Sequence, residues 1–170
     1  VACLTQGHKK YAEYAAFAAE AEARGNALKT RLLDVMDRDT EAFNMVSAAF
    51  AMPKETDEQK TARSTAIQAG LKACTETPME CMELCSEAIS LTTELLERGF
   101  NQSSASDLGV AFLQLAAGIQ GAWLNVLINI GSIKDEAFES EYRAKGEALL
   151  AESLPKAEEG YRKILAMVQE

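Results

Sequence analysis

The stretch Ser106–Ser132, SDLGVAFLQLAAGIQGAWLNVLINIGS, is dominated by Leu, Ile, Val, Ala, Phe and Trp. Wound at about 100° per residue, it places Asp107, Ala111, Gln114, Gly118, Gly121, Asn125, Asn129 and Ser132 within roughly 40° of one line. A helix this apolar is buried on most sides. Amides and a carboxylate are costly there unless something hydrogen-bonds them. The stripe therefore faces a polar ligand, or it is a seam of small residues against which a neighbouring helix packs closely, its few amides satisfied.

The rest of the chain fits a helical protein. It has 170 residues, 48% of them hydrophobic, with three prolines and ten glycines. That is enough for one domain, spanning 1–170, with a sizeable core. A net charge of −9 argues against nucleic acid as a partner. Gln114, Gln120, Asn125 and Asn129 cut the longest apolar runs, so no membrane span is expected. No secretion signal is visible, and the cytoplasm is the expected compartment. The chain opens in mid-pattern at Val1, and an N-terminal segment is expected to be missing. Cys3, Cys74, Cys81 and Cys85 read as reduced core thiols. With His8 the single histidine, neither a Cys/His zinc site nor a di-iron bundle built on paired Glu-x-x-His motifs is expected, and no metal is called for.

Working outward, Val1–Thr5 reads as the end of a helix, followed by the basic cluster His8-Lys9-Lys10. A helical pattern runs from Tyr11 to Met52, with Gly25-Asn26 a candidate interruption and Pro53 a stop. Thr56 caps a third helix ending near Thr77, and Pro78 opens a fourth that reaches Glu97. Residues 98–104 form a loop, the striped helix follows, and a last helix runs from Asp135 to near Val168, kinked at Pro155. No strand pattern of useful length occurs, so the expected architecture is all-α, an elongated bundle of about five long helices.

A second signal is Asp39. It stands in the line of Leu28, Leu32, Val35, Met36, Phe43, Val46 and Phe50. A carboxylate on a core-facing stripe is desolvated and suited to proton transfer near neutrality. The structural alternative is a buried Asp tying two helices together. Lys9 and Lys10 can steer an anion or cap a helix C-terminus.

Five segments then occur in order: Leu4-Thr5-x-Gly7-x-Lys9-Lys10-Tyr11, Asp39-Thr40-x-Ala42-Phe43, Met52-Pro53-Lys54-x-Thr56, Ser106-Asp107-Leu108-Gly109-Val110-Ala111 and Asn125-Val126-x-Ile128-Asn129. Together they resemble the cyclodeaminase–cyclohydrolase family of folate enzymes, from about Val1 to Asp135. The chain departs from the family in lacking its first small-residue helix, and it has Gly99-Phe100-Asn101 where members show Gly-Asn.

The resemblance implies an all-helical homodimer acting on a tetrahydrofolate derivative without a cofactor. It implies one of two reactions. A cyclohydrolase opens 5,10-methenyltetrahydrofolate to 10-formyltetrahydrofolate, the reading a stand-alone chain favours. A cyclodeaminase closes 5-formimidoyltetrahydrofolate to the methenyl form and releases ammonia. Both need a proton carrier, for which Asp39 is the candidate, with Lys9 helping to polarise the reacting centre. Asp107, Gln114, Asn125 and Asn129 are the candidate groups for the substrate's polar edge, and Lys10 for the carboxylates of its tail. The rival from another class is a non-enzymatic helical dimerisation module. It would show an apolar groove without polar convergence, whereas an enzyme would bring Asp39 to the asparagine stripe.

Overall fold

The computed structural model describes residues 1–169. It contains five α-helices: α1 (Ala2–Gln6), α2 (Ala15–Ala51), α3 (Asp57–Arg98), α4 (Ala105–Ile130) and α5 (Glu136–Gln169), with 3-10 turns at Lys9–Tyr14 and Gln102–Ser104. No strand occurs among the described residues. The all-α expectation holds, but length is distributed differently. The first helix is a short segment, and the third and fourth expected helices are one continuous α3.

Helix α3 is the spine. Helices α2 and α4 each pack along it with little mutual contact, and α5 closes the other side against α4 and α3. Its start is a capping box. Thr56 Oγ1 accepts from Gln59 N at 3.3 Å, and the Gln59 side chain accepts from Thr56 N at 3.2 Å. Asp57 and Glu58 complement the dipole of its first turn. It ends at Gly99, whose φ of 110° favours glycine and whose missing Cβ leaves room for the Tyr14 ring.

Pro78 lies inside α3 without dividing it. A proline removes the N–H that would bond the carbonyl four residues back, here that of Cys74. Asn129 of α4 replaces it, donating from Nδ2 to the Cys74 carbonyl at 2.7 Å. Pro155 likewise sits within α5, where the residue four back, Ala151, is open to water. Gly25-Asn26 does not interrupt α2.

The inner face of α4 forms the core. Leu108, Phe112, Ile119, Val126 and Ile130 are at most 2% exposed. Glycines of α5 bring it close: a Cβ on Gly160 would strike the Phe112 ring and one on Gly146 the Trp123 ring. Helix α4 is long and apolar enough to cross a membrane by composition alone, against the expectation from its interrupting amides. Here that inner face is packed on protein. All four cysteines are free, but Cys3 is exposed rather than in the core.

Candidate active site

With α2 and α4 flanking α3, a groove runs along the spine between them, and the polar stripe of α4 faces into it. At mid-length it deepens into a cavity of about 320 Å³, lined by Val35, Met36 and Asp39 of α2, Pro78 and Cys81 of α3, and Gly118, Gly121, Ala122 and Asn125 of α4. Asp39 thus meets the stripe. Its Oδ1 accepts a hydrogen bond of 2.7 Å from Oγ1 of Thr77, itself 5% exposed.

The burial expected for Asp39 is not found: it is exposed in the protomer. The apolar stripe of α2 is wider than its contact with α3, so it splits. Leu28, Val35, Ala42, Val46 and Ala49 turn inward, while Met36, Phe43 and Phe50 are 65%, 66% and 54% exposed. Asp39 sits on the border between these two lines, at the lip of the cavity.

The stripe on α4 proves to be part seam and part groove. At Gly118 a Cβ would lie 3.3 Å from Cys85 Sγ, so glycine permits close approach there, whereas Gly121 faces open space. Asn125 borders the cavity and donates to the Gly121 carbonyl at 3.1 Å. Asn129 is committed to the backbone of α3 through the Cys74 carbonyl. Gln114 is exposed outside the cavity. Asp107, exposed at the start of α4, stands about 27 Å from Asn125 by helical rise. Lys9 and Lys10 are exposed in the turn before α2, about 35 Å along that helix from Asp39. One protomer therefore does not bring Lys9, Lys10 or Asp107 to Asp39. All three lie toward the other end of the bundle, at the N-terminal ends of α2 and α4, where Asn101 Nδ2 donates to the Leu4 carbonyl at 3.2 Å and Asn101 N to Thr5 Oγ1 at 3.0 Å.

Cys81 is the site residue that sequence reasoning missed. A hydrogen bond from the Cys85 thiol lowers its pKa to about 7, against burial and the nearby Asp39 charge, which oppose ionisation. The shared proton pushes Cys85 up. The signal was present: two cysteines one helical turn apart, on the face that also carries Pro78. Among the described residues, no group of three His, Cys, Asp or Glu side chains stands close enough to hold a metal ion.

A family model described as formiminotransferase-cyclodeaminase matches residues 1–148. The chain belongs to this family. It is 40% identical over 150 residues to a methenyltetrahydrofolate cyclohydrolase of Methylorubrum extorquens, covering 88% of this chain and 72% of that one. It is 31% identical over 157 residues to the formimidoyltransferase-cyclodeaminase of Sus scrofa, covering 92% of this chain but only 29% of that one. The crystal structure of formiminotetrahydrofolate cyclodeaminase from Thermotoga maritima matches with a TM-score of 0.79 and 25% identity, over 99% of this chain and 78% of that one.

Proposed function

We infer that this family member is an enzyme of folate one-carbon chemistry, a methenyltetrahydrofolate cyclohydrolase converting 5,10-methenyltetrahydrofolate to 10-formyltetrahydrofolate. The observation that carries the reading is the cavity in which the Asp39 carboxylate meets the stripe of α4. The match to the Methylorubrum protein, which extends over most of both chains, favours cyclohydrolase over cyclodeaminase.

The reaction adds water to an electron-poor carbon held between two nitrogens. Asp39, oriented by Thr77, takes a proton as the water oxygen bonds to that carbon. It returns the proton to N5 as the C–N5 bond breaks, and the hydroxyl proton of the water adduct leaves to solvent as that carbon–oxygen bond becomes the C=O of the formyl group on N10. Asn125 has a carbonyl oxygen for the donors on the pterin edge. The chemistry needs no metal or redox cofactor, and the cytoplasm is its natural setting.

The working unit in this reading is a homodimer. Met36 and Phe43 on α2, with Leu124 and Ile128 on α4 at 67% and 73% exposure, form two apolar ridges flanking the cavity. Ridges of this kind mark an interaction surface, and a second copy laid across them would desolvate Asp39. Such a two-fold pairing, with the helices antiparallel, would also carry the far pole of one copy, with Lys9, Lys10 and Asp107, toward the cavity of the other.

The cyclodeaminase reading stays as the alternative because of the Sus scrofa and Thermotoga relatives. Near-ultraviolet absorbance of the methenyl group separates the two. Decay of added 5,10-methenyltetrahydrofolate above the spontaneous rate supports the cyclohydrolase. Growth of the band from 5-formimidoyltetrahydrofolate, with ammonia, supports the cyclodeaminase. Silence on both from a folded dimer supports the non-enzymatic module.

A further inference from the structure

The chemistry assigned to Asp39 makes no use of a thiol, yet one stands in the same cavity. Cys81 is half-buried in the cavity wall, on the face of α3 that also carries Pro78. One turn further along α3, Cys85 is 4% exposed, and its Sγ packs against α4 at Gly118, where even a Cβ would come within 3.3 Å. The inner thiol is thus held by packing, and it donates a hydrogen bond to the outer sulfur. That bond favours the thiolate of Cys81, the form that acts as a nucleophile. The cavity of about 320 Å³ also has room beside its wall, since Gly121 in the same lining has nothing within 4 Å of where a Cβ would stand.

The pair is not built to close on itself. Side chains four apart on a helix hold their Cβ atoms about 5–6 Å apart, whereas a disulfide needs about 3.5–4.5 Å. Bridging the two would distort α3 and pull Cys85 from its place against Gly118. We propose that Cys81 is a reversible thiolation site: it exchanges with small disulfides, and the group it acquires occupies the cavity and shuts off the chemistry at Asp39. The Cys81 thiolate attacks one sulfur of the reagent, the reagent's S–S bond breaks, and a new S–S bond joins Cys81 to one half of it. The other half departs as a thiolate and takes a proton from solvent. Cys81 is oxidised, the departing half is reduced, and excess small thiol reverses the exchange. With Cys85 out of bonding reach, the adduct is the end point and not a step toward a Cys81–Cys85 bridge. The exchange stands apart from the folate reading, whereas its effect on turnover rests on that reading.

The test treats the full chain at neutral pH with 2-hydroxyethyl disulfide, an uncharged probe. Labelling is followed by intact mass and by peptide mapping of the four cysteines, with turnover measured in parallel. A thiol lowered to about 7 carries about 16 times the thiolate of an ordinary cysteine at that pH. Its lower intrinsic nucleophilicity offsets about five-fold of that, leaving an advantage of about three-fold. Cys81 should therefore be labelled about three-fold faster in the wild-type protein than in Cys85→Ala, while Cys85→Ser, which keeps a donor, stays near wild type. Turnover, as a fraction of each protein's own untreated rate, should fall in step with Cys81 labelling and return with dithiothreitol. Cys81→Ser should show no such loss. Labelling of the exposed Cys3 alone, a Cys81 rate unmoved in Cys85→Ala, or loss of two hydrogens to a Cys81–Cys85 bridge overturns the thiolation site. Labelling of Cys81 with turnover unchanged overturns the shut-off and leaves the folate reading intact. An untreated protein with no turnover of either the methenyl or the formimidoyl substrate overturns the folate reading, and the shut-off with it, while the labelling rates still decide the exchange.

Discussion

The hydrogen bond from Asn129 to the Cys74 carbonyl should be needed only because residue 78 is proline. Pro78 has no N–H, so the Cys74 carbonyl lacks its intrahelical donor, and Asn129 Nδ2 reaches it from α4 at 2.7 Å. Cys74 is 8% exposed, so water cannot readily take over. Asn129→Leu therefore leaves a largely buried acceptor unpaired, at a cost of about 1–3 kcal/mol. With Pro78→Ala in place, the new N–H of residue 78 can bond the same carbonyl, and Asn129→Leu should then cost less than about 1 kcal/mol. The coupling between the two sites should be about 1–2 kcal/mol. Urea unfolding of the four proteins, followed by far-ultraviolet circular dichroism with m-values compared, measures it directly. Additivity within about 0.5 kcal/mol would refute the reasoning and free Asn129 for a role toward a ligand.

Asp39→Asn should lower kcat by about two to four powers of ten. It should move unfolding by less than about 1 kcal/mol, because an amide oxygen still accepts from Thr77; retained turnover would remove Asp39 from the chemistry. Iodoacetamide should inactivate the enzyme faster as pH rises through about 7, following the Cys81 thiolate. Cys81→Ser should be insensitive, and a wild-type rate that stays low until the ordinary thiol range contradicts the Cys85 hydrogen bond. Ile128→Glu places a charge on the outer ridge of α4, and light scattering should report a monomer with diminished turnover; an unchanged dimer would locate the interface elsewhere. Gly146→Ala forces a methyl group into the Trp123 ring and should cost about 1–3 kcal/mol, read as a fall in Tm.

Helical content, the Thr56 start and the orientation of the α4 stripe were legible because each follows from spacing along one helix. The meeting of Asp39 with Asn125 was legible only as a discriminating expectation, since it depends on how α2 and α4 sit on α3. What failed were inferences about width and partnership. An apolar stripe shows which side of α2 is greasy but not how much of it a neighbour covers, so Met36, Phe43 and Phe50 were read as core. The lysines at positions 9 and 10 stood out by density of charge, whereas Lys54, Lys60, Arg63 and Lys134 are scattered over eighty residues and gather only when three chain segments fold together. Pro78 read as a boundary because its compensation lies on another helix.

The spine arrangement also bears on how the site comes into being. Its two walls reach α3 through the α2–α3 and α3–α4 hairpins, whose connections are short in sequence. Contacts of that kind close early in folding and at little loop entropy. The groove is therefore complete once these two hairpins are in place, whether or not α1 has docked. Local opening at the N-terminal pole should leave it intact, and amide exchange there should run ahead of exchange around Pro78 and Asn125.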